Sequence, residues 1–124
     1  MNDSLIKEID AAISAHATWK LRLKTAITTG RVEQDVETVR RCDQCAFGKW
    51  LDGPTISGDV RAGKPYEVVH RLHADFHRAA ADVLTAVARG NIDAAQTTMS
   101  GDFADRSRIL VVALNKWRNE LKAA

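Results

Sequence analysis

The sequence predicts an all-α fold: an antiparallel four-helix bundle with a short broken helix carrying a cysteine motif. Three observations predict it. Apolar residues recur at three- and four-residue spacing through three long stretches. No apolar–polar alternation survives over six residues, so no half-buried strand is written into the chain. Only two prolines occur in 124 residues, so the long stretches are almost free of the strongest helix breaker. With 45% apolar residues, close to the usual share of a globular domain, a chain of this length suits a single domain over residues 1–124.

The first helix is expected from Ser4 to Thr29. Asn2, Asp3 or Ser4 can cap its start, and Gly30 can sit just past its end. Ile6, Ile9, Ile13, His16, Lys20, Leu23 and Ile27 follow a 3,4,3,4 spacing, a seam that puts His16 on the buried side. The second segment, about Val32 to Leu51, is shorter and broken around Cys42 to Gly48. Residues 52–64 read as a loop, with Gly53, Pro54, Gly58 and Gly63. Pro65 fits the first turn of the third helix, which runs to about Arg89 and stops at Gly90. Its stripe is Tyr66, Val69, His73, Phe76, Ala80, Val83 and Val87. The fourth helix starts after Asn91, a good cap, and runs to about Lys122. Ile92, Met99, Phe103, Leu110, Ala113, Trp117 and Leu121 line one face, and Gly101 marks a bend. Such helices build metal sites from inward side chains on facing elements.

Bulk charge excludes several classes. Eighteen basic residues are interleaved with 16 acidic ones, giving a net charge of +2 and no basic stripe for nucleic acid. No apolar run approaches the roughly 18 residues of a membrane span. Asp3 and Glu8 interrupt the start and no apolar run follows, so the expected compartment is the cytoplasm and the cysteines should be reduced.

The chemistry sits in histidine and cysteine. His73 and His77, four apart, leave one helix face one turn apart. Alone such a pair is weak evidence for metal. His16 on another seam strengthens it, because a buried imidazole needs a polar partner. Cys42 and Cys45 lie in the connecting segment. Nitrogen and sulfur donors in fours suit tetrahedral Zn²⁺. Two ligand sets are open at this point: Cys42, Cys45, His73 and His77, or His16, Cys45, His73 and His77. A dithiol redox couple normally wants a βαβ context, absent here. Catalysis is not expected. Ala74 stands where a His-Glu-x-x-His protease has its glutamate, and the Glu-x-x-His ligands of a di-iron bundle are missing.

Cys45-Ala46-Phe47-Gly48-Lys49-Trp50 resembles the Cys-x-Phe-Gly-x-Trp signature of the chemoreceptor zinc-binding (CZB) domain. His16-Ala17-Thr18-Trp19-Lys20 is similar to that family's first-helix motif, and His73-Ala74-Asp75-Phe76-His77 to its His-x-x-Phe-His motif. Tyr66 precedes the last as it often does there. The resemblance extends from about Ser4 to Leu121. It implies that His16, Cys45, His73 and His77 hold Zn²⁺, with Cys42 and His70 outside the ligand set. It also implies a helical, often dimeric, regulatory domain that senses zinc or the oxidation of its ligand cysteine, here Cys45. A homodimer and a chemoreceptor or diguanylate cyclase type of output partner are therefore expected, in bacterial chemotaxis or cyclic-di-GMP signalling, with the chain a stand-alone protein or a piece of a larger one. The alternatives are a structural dimerisation bundle with a permanent zinc site and a Cys-x-x-Cys switch. Trp19, Phe47, Trp50 and Phe76 are expected to pack around the site. Gly48 is expected to permit a close backbone approach; Lys20 and Lys49 suit solvent better than a role at the site, though a positive charge near Cys45 would favour its thiolate. Asp75 and Asp82 can orient an imidazole, though a solvent-facing role suits them better.

Overall fold

A computed structural model describes residues 3–123. Asn2, one of the three candidate caps, lies outside them. Helix α1 spans Asp3–Thr29 and ends where Gly30 takes φ of 70° and returns its N–H to the Ala26 carbonyl at 2.8 Å. A left-handed residue at this point is where glycine carries no Cβ penalty. The broken segment resolves into α2 (Val36–Arg40), a 3₁₀ turn (Cys42–Gln44) and α3 (Ala46–Asp52). The stretch 52–64, expected as loop, holds one further short helix, α4 (Gly58–Arg61), capped by Ser57 Oγ accepting from the Val60 N–H. A serine three residues ahead of a free N–H is a cap signal, and the glycines around it masked the turn.

Helix α5 spans Lys64–Ala88, with Pro65 in its first turn and Gly90 beyond its end at φ 76°. Asn91 Oδ1 accepts from the Ala94 N–H and starts α6 (Ile92–Thr98). A π-helical turn (Met99–Phe103) then leads directly into α7 (Ala104–Ala123). At Gly101 the chain therefore widens its turn and continues.

Four rods result: α1, the α2–α3 segment, α5 and the α6–α7 arm. Cross-contacts fix their directions. Arg118 on α7 meets Asp10 on α1, Tyr66 on α5 meets Trp117, and Phe76 meets Phe103. Arg40 on α2 reaches Asp82 and Thr85, whereas Tyr66 donates back to the Leu51 carbonyl of α3. Residue numbers rise on one rod as they fall on its partner, so the order is up-down-up-down. The core runs along α5, which buries Val69, Phe76, Ala80, Val83 and Val87, against Leu110, Leu114 and Trp117 of α7.

One position of the first seam is corrected. Lys20 is exposed, and the buried face of α1 is Ile9, Ala12, His16, Trp19, Leu23 and Ala26. The face turns by one residue there because burying the Trp19 indole gains more than burying a lysine stem, and alanines at 12 and 26 let neighbouring rods come close.

Candidate metal centre

Three elements meet at one buried point. Helix α5 supplies His73 and His77, one turn apart and only 1% and 2% exposed. Helix α1 supplies His16, 3% exposed. The junction between the 3₁₀ turn and α3 supplies Cys45, half-buried at the N-cap of α3. The donor atoms of these four residues all lie within 4.8 Å of one another. His73 Nε2 is the hub: it is 3.0 Å from His16 Nε2, 3.1 Å from His77 Nε2 and 3.3 Å from Cys45 Sγ.

Backbone carbonyls set two of the ring orientations. His16 Nδ1 donates to the Ala12 carbonyl at 2.7 Å and His77 Nδ1 donates to the Val39 carbonyl at 2.9 Å. A carbonyl only accepts, so in each neutral ring the proton sits on Nδ1 and the Nε2 lone pair points inward. Val39 lies in the last turn of α2, where carbonyls lose their helical partners; His77 satisfies this one. Asp75 and Asp82 touch no ligand imidazole. Asp75 pairs with Arg78 and Arg106, and Asp82 with Arg40. Sequence reasoning missed the carbonyls because it left the end of α2 unplaced. His70 pairs with Asp52 at 3.0 Å, and Cys42 offers its carbonyl, 3.6 Å away, to the Cys45 thiol.

Gly48 makes the cysteine turn geometrically possible. A Cβ there would stand 1.7 Å from the Cys42 carbonyl oxygen and 3.0 Å from Asp43 Cα. The bare glycine lets the turn fold onto α3, and its N–H donates to Cys45 Sγ at 3.3 Å. Aromatic rings close the surroundings. Phe47 meets the His73 ring edge-on at 5.1 Å between centroids, and Phe76 meets His16 at 5.0 Å. Trp19 lies 6.2 Å from His77. Trp50 is half-buried and stacks on Phe47, one ring removed from the imidazoles. A pocket of about 270 Å³ reaches Cys45 and His77 from the surface between Trp19, Arg22 and Arg41.

Burial sets the electrostatics. It pushes His16 down to about 4 and His73 down to about 2, with neighbouring imidazoles adding to both, and it lowers His77 as well. All three rings are neutral at pH 7 and offer lone pairs. Burial also pushes the Cys45 thiol up. The Gly48 and Phe47 amides and the Lys49 charge oppose this without reversing it. Lys49, exposed as a solvated lysine should be, lowers the thiol slightly but is outweighed by burial.

This donor set fits a zinc ion. Zn–N bonds of about 2.0 Å and a Zn–S bond of about 2.3 Å give tetrahedral edges of roughly 3.3 Å between nitrogens and 3.5 Å from nitrogen to sulfur. The edges at His73 are within a few tenths of an ångström of these. Three imidazoles and one sulfur complete four positions.

The family model of the chemoreceptor zinc-binding domain matches residues 16–84, a span that contains all four donors. The chain belongs to this family. The CZB domain is a zinc-binding, sensory domain of chemoreceptor type and not a catalytic one, and zinc is its cofactor. No match was found among curated proteins or among solved structures. Among the described residues no helix is long and apolar enough to cross a membrane.

Proposed function

We propose that this CZB domain is a regulatory switch in which His16, Cys45, His73 and His77 hold one Zn²⁺ and so tie α1, the cysteine turn and α5 together. The observation that carries this reading is the convergence of three buried imidazoles and one half-buried thiol from three separate elements, with His73 Nε2 at the hub. Zinc, when bound, supplies the positive charge that keeps Cys45 as thiolate and a bond energy on the order of 10 kcal/mol in small zinc domains.

The chain's own residues do the rest. Ala12 and Val39 hold two imidazoles in the tautomer that faces the centre. The Gly48 amide steadies the sulfur. Phe47 and Phe76 pack against the imidazoles, and Trp19 borders the pocket that reaches Cys45. Cys45 is the ligand that can be lost by chemistry. A hypohalous acid or peroxide entering by the pocket beside Trp19 transfers one oxygen atom to its sulfur, forming the sulfenic acid while the oxidant is reduced by two electrons. Imidazole has no counterpart to this oxidation of sulfur. Cys45 then releases its hold, and Phe47 and Trp50, which follow it on α3, repack. Removal of the metal would free the same segment.

Residues 1–124 act as one cytoplasmic domain in a homodimer, and the change in helix packing passes to an output protein of chemoreceptor or diguanylate cyclase type. The test is zinc content by plasma mass spectrometry on protein purified without added metal, for the native chain and for Cys45→Ala and His73→Ala. One zinc per native chain, lost or strongly reduced in both variants, is the expected result. Equal zinc in all three would overturn the ligand set. Hypochlorite releasing zinc equally from the native chain and from a Cys42→Ser variant separates this reading from a dithiol switch, which needs both thiols.

A further inference from the structure

A groove of about 800 Å³ lies between α1 and the α6–α7 arm, apart from the metal ligands. Ile27, Met99, Phe103 and Val111 give it an apolar lining. Its far wall is the π turn, whose extra residue per turn re-registers Met99 and Phe103 relative to α7. Such turns are frequent at functional sites. The volume falls in the class of about 300–1,000 Å³ that small-molecule sites occupy.

The charge around this groove is one-sided. Lys20 and Lys24 project from α1 and Arg108 from α7, and no acidic residue lines it. All three are exposed, and among the described residues none has an ion pair. Among the described residues Arg40, Arg41, Arg78, Arg106 and Arg118 are each matched to an aspartate, whereas several other surface cations are not; what sets this groove apart is that three unmatched cations share one apolar lining. An apolar trough rimmed by three unmatched cations is complementary to a ligand with an apolar body and an anionic head. It is not complementary to itself. A two-fold pairing of this face with a second copy would bring together two linings that carry cations and no carboxylate, and like charges across an interface disfavour it.

We propose that the groove binds a small amphipathic carboxylate: an alkyl or aryl body lies along Ile27, Met99 and Phe103, and the head meets Lys20, Lys24 or Arg108. The α1 wall from Lys20 to Thr28 runs roughly 12 Å, enough for a medium-length alkyl chain. The occupant is a free small molecule, not a membrane surface.

Decanoate, below its micelle concentration, is the probe, titrated into zinc-loaded ¹⁵N-labelled protein. Saturable amide shifts confined to residues 20–28 and 96–111 are expected. Decanol, with the same body and no charge, and the double variant Lys24→Glu/Arg108→Glu are each expected to bind at least tenfold more weakly. Both replaced residues are exposed and make no ion pair, so the variant should keep native melting and zinc content. A second variant, Met99→Gln, checks the apolar floor and is expected to weaken decanoate while leaving the zinc content unchanged. The proposal is overturned by absence of saturation at millimolar decanoate, by shifts centred elsewhere, or by decanol binding equally well. It is overturned equally if the protein ignores monomeric decanoate but co-floats with phosphatidylglycerol vesicles through the same residues.

Discussion

Gly48→Ala tests the cysteine half of the centre without touching a donor atom. The added methyl would stand 1.7 Å from the Cys42 carbonyl oxygen and 2.8 Å from its carbon, both backbone atoms with no flexible end to swing away. Relief requires the 3₁₀ turn and α3 to part by more than an ångström. Cys45 lies between them, so its sulfur moves by a comparable distance, whereas Zn–S bonds tolerate about 0.2 Å. The Gly48 N–H that donates to Cys45 Sγ moves with it. Displacing groups that orient a ligand typically lowers metal affinity about 10- to 100-fold, equivalent to about 1.4–2.8 kcal/mol. Overpacking also lowers the stability of the zinc-free fold by about 1–3 kcal/mol. Competition against a chromophoric zinc chelator reads the first effect and urea unfolding the second. Gly101→Ala is the control, since its Cβ would meet nothing within 4 Å. A Gly48→Ala affinity within threefold of the native value, with unchanged stability, would refute the argument that this glycine positions the sulfur.

Three further outcomes follow from burial and charge. His16 is pushed down to about 4 by burial, so the unfolded chain binds a proton below pH 6.5 that the fold resists. Stability of the zinc-free protein is therefore full above pH 6.5 and lost as pH falls toward 4, with about 2 kcal/mol gone by pH 5 from this residue alone. Urea midpoints that stay level between pH 7 and pH 5 would contradict this. At pH 7 the three imidazoles are already neutral and Cys45 is a thiol, so zinc binding should release about one proton. Calorimetry in buffers of different ionisation enthalpy counts it, and a value near zero or above two would not fit. Phe76 is fully buried between His16 and Phe103, so Phe76→Ala should destabilise the zinc-free protein by about 3–5 kcal/mol in urea. A loss under 1 kcal/mol would show that this ring does not hold the bundle together.

The helices were legible because their signals are local and repeated. Seams along α5 and α7 carry many apolar residues in phase, and Gly30 and Gly90 end helices by a conformation glycine adopts freely. The donors were legible because buried histidines on separate seams need partners, and because the motifs resemble a family. The rest depended on tertiary detail. Lys20 fell on a numerical seam that Trp19 displaced by its greater apolar surface. Helix α4 was hidden among glycines that read as loop. The carbonyls of Ala12 and Val39 could not be named before the ends of α2 and the tilt of each ring were known. The π turn leaves no composition signal beyond Gly101, because its extra residue is a matter of register. The groove beside it was invisible for the same reason: Lys20, Lys24 and Arg108 are far apart in sequence and ordinary one by one.

Hydrogen bonding alone cannot satisfy the cluster of four donors, and this is the strongest physical reason to place a cation there. His16 and His77 spend their ring protons on carbonyls, which leaves two inward lone pairs. Only His73 Nε2 and the Cys45 thiol can donate among the four central atoms. The thiol already has the Cys42 carbonyl as an alternative acceptor at 3.6 Å. His73 Nε2 carries at most one proton, yet three acceptors surround it at 3.0–3.3 Å. At least one buried acceptor is always left short, at a cost of about 1–3 kcal/mol. A proton relieves this poorly, since burial holds all three imidazoles neutral. A divalent cation accepts all the lone pairs at once and converts the thiol to a fourth donor. The same residues that make the cluster costly by itself therefore make it selective for a metal. On the function proposed above, the ligand least fixed by the helices, Cys45 on its glycine-dependent turn, is the one through which that bond would most readily be undone.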